Sequence, residues 1–169
     1  MLHILRRCPS RGVRHLEVEF EEDESEHELF FYIPQAFPQL QYVVIHRYRC
    51  PVGGADVTPV ATLAKALAPL RDLRILLCNL DFVEAPDPFS DDFSPFVNDT
   101  LQDAADVLAR SLSRTVEVIG FLLRRDILAH YLYFRPVRDG RSGPDAQRDR
   151  FACKTSGLPM GDMTSLCRP

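Results

Sequence analysis

The spacing of apolar residues across 67–81 constrains the fold of this chain more than any other feature. Leucine recurs every three residues through Leu70, Leu73 and Leu76, and the interval then shortens to two between Leu76 and Cys78. Intervals of three suit a helix end or a turn, whereas alternation by two is the period of a β-strand. A turn that feeds a short strand is typical of a leucine-rich repeat, whose units bury their apolar faces by stacking.

We interpret three other segments as copies of this unit: 13–20, 37–46 and 116–123. The strands that these four segments predict are centred at Leu16, Val43, Leu76 and Val118. The centres lie 27, 33 and 42 residues apart, whereas repeats of this class usually span about 20–29 residues. The longer intervals contain a Gly53-Gly54 loop and an insertion at 81–98, rich in proline and phenylalanine, that is also a candidate binding loop.

Helices are expected between the strands. One short helix is predicted at about 27–33. A second is predicted to begin at Thr58-Pro59, with Thr58 as the N-cap and Pro59 as the first helical residue. The clearest helix begins at 99–102 and carries one apolar stripe: Leu101, Ala105, Leu108 and Leu112. Residues 128–137 are compatible with a final strand.

These elements predict an α/β fold, a short leucine-rich-repeat-like solenoid with parallel strands and outer helices. Residues 1–137 would form this domain, as a truncated array, because neither end has the polar capping repeat that normally seals a solenoid. Residues 138–169 contain few apolar groups among many Gly, Pro, Arg and Ser residues, so they are expected to form a disordered tail.

The strand phase predicts which side chains face away from the stack and line a concave surface. The residues proposed to bind a protein there are Glu17, Glu19, Tyr42, Val44, His46, Ile75, Leu77 and Asn79. By the same phase His15, Glu117 and Ile119 face that side. A row of exposed side chains is the usual contact surface of a solenoid. The alternative is a parallel sheet that is simply buried on both faces.

Catalytic, cofactor and metal sites are not indicated by the sequence. His15 and His46 occupy similar strand positions with Glu17 nearby, but a third ligand at fixed spacing is missing. The acidic run at 21–28 lacks the glycine and the alternating ligands of a calcium loop. Five scattered cysteines contain no CxxC pair, which favours a reducing compartment over disulfides.

Composition also narrows the partners that the sequence predicts. The net charge of −4 argues against nucleic-acid binding, which usually requires a basic face. No stretch is long and apolar enough to be read as a membrane span or a signal peptide. The expected location is therefore cytoplasmic or nuclear, and the expected partner is a protein client.

Several segments resemble the C-terminal, leucine-rich part of fungal F-box-like proteins, especially those of mushroom-forming fungi. The resemblance covers roughly residues 1–140 and rests on five segments: 13–20, 36–48, 64–76, 104–112 and 134–140. It implies that the repeats hold a substrate, while an N-terminal F-box docks on a Skp-type adaptor of a cullin ubiquitin ligase. No F-box precedes the repeats in this sequence, so adaptor binding is expected only if one is encoded upstream.

Three functional hypotheses remain open from the sequence. The first is a protein-interaction module resembling the substrate-recognition part of such a receptor, without enzymatic activity. The second is an incomplete or mis-spliced fragment that has no independent activity, because its end repeats are uncapped. The third is an enzyme that uses His15, His46 or a cysteine, and it requires these groups to converge in one pocket.

Overall fold

The protein forms a five-stranded sheet in the order β1-β2-β3-β4-β5, so every strand lies beside the one that precedes it in the chain. The structure is a computed structural model that describes residues 1–8, 10, 12–50, 58–90, 92–125 and 128–136. The strands are β1 (His15–Glu21), β2 (Tyr42–Tyr48), β3 (Ile75–Asn79), β4 (Val118–Arg125) and β5 (Leu128–Phe134). The α/β class predicted from the sequence is confirmed.

One short helix precedes β1, and the other helices lie between the first four strands. They are α1 (Leu2–Leu5), α2 (Glu26–Ala36), α3 (Val60–Leu67), a π-helix (Phe96–Leu101) and α4 (Gln102–Ser111). The second helix is longer than the predicted 27–33 and contains Pro34. The expected cap at Thr58 is not formed, because Pro59 occupies the N-cap position and no side-chain hydrogen bond caps α3.

The first four strands pair in parallel and in a register that follows the three-then-two spacing. Leu16 pairs with Val43, and Val43 pairs with Leu76. In β4, however, the partner of Leu76 is Ile119. The prediction centred on Val118 was therefore wrong by one residue, and the matching unit is Val116, Ile119 and Phe121, which again shows intervals of three and two.

All the described helices bury their apolar residues against one side of this sheet, which we call the helix face. The helix-face residues of the strands and the buried helix residues form one continuous core. Its fully buried members include Phe30, Ile33, Leu63, Leu67 and Leu108. The stripe predicted for the fourth helix is buried as expected, since Leu101, Ala105, Leu108 and Leu112 are all at most 6% exposed.

The last strand departs from the expected parallel arrangement. β5 runs antiparallel to β4, and Ile119 pairs with Phe134. An antiparallel neighbour needs no crossover helix, whereas a parallel neighbour would need one. The predicted strand at 128–137 is therefore present, and it ends at Phe134.

The insertion at 81–98 lies on the core. Phe82, Phe93 and Phe96 are less than 10% exposed, whereas Phe89 is 71% exposed. Phe82 contacts both Phe96 and Phe121 edge to face, with ring centroids 5.8 and 5.7 Å apart. These contacts fix the segment over the carboxyl ends of β3 and β4.

Two predictions fall on residues outside the described ranges: the Gly53-Gly54 loop and the tail at 138–169. The domain boundary at 137 consequently stays a prediction. Among the helices that the structure describes, none combines the length and the apolarity needed to cross a bilayer.

Candidate functional site

The side of the sheet opposite the helices, which we call the open face, carries alternate residues of all five strands. Cross-strand pairing arranges most of them in three rows. The first row is His15, Tyr42, Ile75 and Val118; the second is Glu17, Val44, Leu77, Gly120 and Tyr133; the third is Glu19, His46, Asn79, Leu122 and Tyr131. All eight residues proposed from the sequence lie on this face.

The apolar centre of the open face is covered by tyrosines rather than by a helix. Val44, Ile75 and Leu77 are only 5, 8 and 3% exposed and form a cluster separate from the main core. Tyr42, Val118, Tyr131 and Tyr133 are partly buried and pack against that cluster. The prediction of exposed aliphatic side chains here was therefore wrong, because the half-buried tyrosines form the accessible surface above them.

Gly120 makes room for this aromatic cover. A Cβ atom at position 120 would lie 2.6 Å from Leu77 Cδ2 and 3.3 Å from Tyr133 Cδ1. Since non-bonded carbon atoms rest about 3.5–4.0 Å apart, only glycine lets these side chains approach across the middle row. The close packing at the centre of the open face therefore requires glycine at position 120.

The β1 edge of the open face is acidic. Glu17, Glu19 and Glu21 alternate along this strand, and each is exposed. Because β1 ends the sheet, these carboxylates form a negatively charged border beside the tyrosines. A surface of this kind attracts a positively charged partner.

A small polar group joins the acidic border to the aromatic cover. His46 Nε2 lies 3.7 Å from Glu17 Oε1 and 3.5 Å from the Tyr131 hydroxyl. Burial, with smaller effects of neighbouring Cys78, Tyr42 and Glu17, raises the pKa of Tyr131 well above its ordinary value. Tyr131 consequently keeps its proton near neutral pH and is able to donate a hydrogen bond to His46.

Within the described residues, His15, His46 and Cys78 do not converge in one pocket as the enzyme hypothesis requires. His15 contacts Tyr42 in the first row, with ring centroids 4.5 Å apart, whereas His46 lies in the third row. Four residues of strand separate these rows, a distance of about 13 Å. Cys78 lies on the helix face, fully buried, and burial raises the pKa of its thiol. Such a thiol is a poor nucleophile.

Two further predictions about the face require correction. Ile119 does not face the open side; it is 0% exposed within the helix-face core, because β4 is shifted by one residue from the expected phase. Glu117 lies just before β4 and pairs with Arg74, whose Nε is 2.8 Å from Glu117 Oε1. This exposed pair links the turns that precede β3 and β4.

Three of the four tyrosines on the open face were not predicted from the sequence. Tyr48 lies beyond the predicted unit at 37–46, and Tyr131 and Tyr133 belong to a strand whose direction the sequence did not predict. The alternation of Tyr131 and Tyr133 was a usable signal, since residues two apart on a strand share a face. Within the described residues, no group of three His, Cys, Asp or Glu side chains is placed to hold a metal ion.

Comparison with known proteins yields no relative. No protein-family model matches the sequence, and searches of curated proteins and of solved structures find no match.

Proposed function

We propose that the chain is a protein-interaction module that binds a client through the open face. The observation that carries this proposal is the combination of four half-buried tyrosines with an acidic border on a sheet surface that no described helix covers. The tyrosines are Tyr42, Tyr48, Tyr131 and Tyr133. Tyrosine is enriched at protein interfaces because it offers a large apolar contact area together with a hydroxyl group.

The chemistry of the face favours a client segment that combines basic and apolar side chains. Lys or Arg residues of the client would pair with Glu17 and Glu19, while its apolar residues would contact the tyrosine rings. Glu17 and Glu19 are exposed, so their contribution would act on association rate and specificity and would weaken with salt.

We further propose that the fold is a leucine-rich-repeat-like array and that the module corresponds to the substrate-recognition part of an F-box-like ubiquitin-ligase receptor. Four sequential parallel strands, the packing of the described helices on one face and the recurrent three-then-two spacing support the repeat assignment. Binding to a Skp-type adaptor would require an F-box on the same polypeptide.

An incomplete array is the second candidate, and the position of β1 favours it. β1 lies at the edge of the sheet with its outer hydrogen-bonding groups unpaired in the described part of the chain. An open strand edge is a site for pairing with another chain. This candidate predicts self-association of the purified chain, which restored upstream sequence would abolish.

The test of client binding uses two variants of equal net charge. The tagged chain is used to isolate a client, and the affinity of that purified client is then measured for the wild type and for each variant. The double variant Glu17→Gln/Glu19→Gln is expected to bind the client about tenfold more weakly, because two charge contacts at the rim of the interface are lost. The control is Glu24→Gln/Glu84→Gln, two exposed positions outside the open face.

Equal affinity of the two double variants would refute the proposed surface. A client that binds only in the absence of salt, or only to aggregated protein, would also refute it. Sedimentation of the isolated chain as a monomer that still binds the client would exclude the incomplete-array candidate.

A further inference from the structure

A cavity of about 270 Å³ lies at the carboxyl ends of the parallel strands, beside the open face. Arg49 follows β2, Asn79 ends β3, and Arg124 belongs to the end of β4. The insertion at 81–98 closes the opposite wall with Phe82 and Phe93. Ligands of open α/β sheets bind outside the carboxyl ends of the strands, so this is the expected place for a small-molecule site.

Asn79 is a buried hydrogen-bond donor in this cavity. Its side chain is part of the cavity wall and the residue is 5% exposed, yet Nδ2 has no acceptor among the residues that the structure describes. A buried amide without a partner is costly, and such groups in proteins usually serve a purpose beyond stability. An acceptor atom of a ligand would satisfy it.

Arg124 supplies a positive charge that pairs with no carboxylate among the residues that the structure describes. Its guanidinium lies over the ring of Tyr48, 5.3 Å from the centroid. Stacking on an aromatic ring leaves the edge of the guanidinium free to bind a carboxylate in bidentate geometry. Arg124 is therefore a candidate anchor for an anionic group.

Three further charged residues line the cavity: Arg49, Asp81 and Asp87. Asp81 accepts the Arg49 backbone N–H at 2.9 Å, and its Oδ2 lies 3.9 Å from Arg49 Nε, so these two charges are paired. Asp81 has a φ of 49°, a left-handed conformation that Asp tolerates better than most residues. Asp87 also lines the cavity and would repel a dianion more strongly than a monoanion, so a single negative charge fits this lining better.

Aromatic rings form the apolar part of the cavity. Phe82, Phe93 and Phe96 line it, and the edge-to-face contact of Phe82 with Phe96 holds the wall in place. A ligand with an aromatic or short aliphatic body would pack against the small part of these rings that remains exposed. A purely polar anion would not use this wall.

We propose that this cavity binds a monocarboxylate with an apolar body, in which Arg124 pairs with the carboxylate and Asn79 donates a hydrogen bond to it. The carboxylate belongs either to a free small acid or to the C-terminal residue of a peptide chain. The proposal goes beyond client binding by the open face and does not depend on it. Arg124 and Asn79 are binding residues of this site.

The test measures the affinity of the full chain for defined probes by calorimetry or by NMR titration. The free-acid probe is 3-phenylpropanoate, and the chain-terminus probe is N-acetylphenylalanine. Each acid is expected to bind about tenfold more tightly than its amide, because the amide loses the charge-assisted contact with Arg124. A higher affinity for N-acetylphenylalanine identifies a chain terminus as the source of the carboxylate, and a higher affinity for 3-phenylpropanoate identifies a free acid.

Three variants test whether Arg124 and Asn79 contact the bound acid. Arg124→Gln and Asn79→Leu are each expected to weaken binding of the preferred acid by about tenfold. Arg71→Gln removes an equal charge from an exposed side chain on the turn before β3 and is expected to leave affinity unchanged. Four outcomes would each overturn the proposal. They are absence of binding by the wild type, equal affinity for acid and amide, tighter binding of phenyl phosphate, and equal losses of affinity in all three variants.

Discussion

Arg47 Nε donates a hydrogen bond to Glu26 Oε2 at 2.6 Å, and this pair joins the middle of the sheet to the start of α2. Arg47 is 1% exposed on the helix face of β2. Its guanidinium also lies 3.1 Å from Glu22 Oε2 and donates to the carbonyl oxygen of Leu80 at 3.0 Å. One arginine thus connects β2, the acidic segment before α2 and the end of β3.

Arg47→Ala is expected to lower the free energy of unfolding by about 3 kcal/mol. Removing one partner of a buried ion pair leaves the others uncompensated, which typically costs about 3–5 kcal/mol. Glu22 and Glu26 are both less than 15% exposed, so water would only partly replace the guanidinium. Urea unfolding monitored by circular dichroism measures the change.

The control for Arg47 is Arg114→Ala, an exposed arginine in the turn before β4. It is expected to change the free energy of unfolding by less than about 0.5 kcal/mol, as surface substitutions usually do. A loss below about 1 kcal/mol for Arg47→Ala would show that the buried ion pairs do not hold α2 to the sheet.

Gly120→Ala is expected to destabilise the protein by about 1 kcal/mol. The new methyl group would overlap Leu77 Cδ2, and overpacking of this kind exceeds the small gain from reduced backbone entropy in the unfolded chain. The same substitution at Gly12, where no atom lies within 4 Å, is the control.

A double-mutant cycle separates this overlap from a general intolerance of alanine in β4. In the Leu77→Ala background the overlap is absent, so Gly120→Ala should cost clearly less there than in the wild type. Additive losses would contradict the close approach of Leu77 to position 120.

Asn79→Leu is expected to raise the free energy of unfolding by about 1 kcal/mol. The substitution removes a buried amide nitrogen that has no acceptor among the described residues and replaces it with an apolar group of similar size. Thermal and urea unfolding measure the gain, and Asn98→Leu, at an exposed position, should show none. Destabilisation by Asn79→Leu would mean that the amide is part of the structural framework.

Stability is expected to fall in alkaline solution as the pH rises past about 9 to 10. Burial raises the pKa of Cys78 from its ordinary value of 9.0, and burial also raises those of Tyr131 and Tyr133 from 10.0. Above the ordinary values these groups ionise in the unfolded chain but stay protonated in the folded one. The unfolded state then binds fewer protons, so the free energy of unfolding decreases with pH.

The matched variant for this pH effect is Tyr131→Phe, which keeps the ring and removes the titrating hydroxyl. Its unfolding free energy should decline less steeply than that of the wild type above pH 10, the ordinary tyrosine pKa. Identical pH profiles for the two proteins would show that Tyr131 ionises as easily in the folded state as in the unfolded chain.

The sequence predicted those parts of the fold that follow from local periodicity. The pairing of Leu16 with Val43 and of Val43 with Leu76 follows the repeated intervals of three and two. The same pattern also existed in the last unit, but the run Val116-Glu-Val-Ile119 permits two strand phases. Only the pairing with β3 decided between them, because the phase that buries Ile119 and Phe121 fills the helix-face core.

The sequence was less informative about the candidate site. It placed eight residues on one face correctly, but it could not show that Val44, Ile75 and Leu77 are covered. Their cover comes from Tyr131 and Tyr133, which lie more than fifty residues away in the chain and reach the face only because β5 turns back. Arg47 was missed for a similar reason, since an arginine is normally exposed unless distant carboxylates compensate its charge.

The sequence by itself determined the α/β class, the order of strands and helices, and the side of each early strand that faces the core. Those properties follow from side-chain directions that repeat every two or 3.6 residues, so neighbouring residues specify them. The tertiary structure alone decided the reversal of β5, the burial of Arg47, the tyrosine cover and the cavity around Asn79. Each of these depends on contacts between residues far apart in the chain, and local spacing carries no information about such contacts.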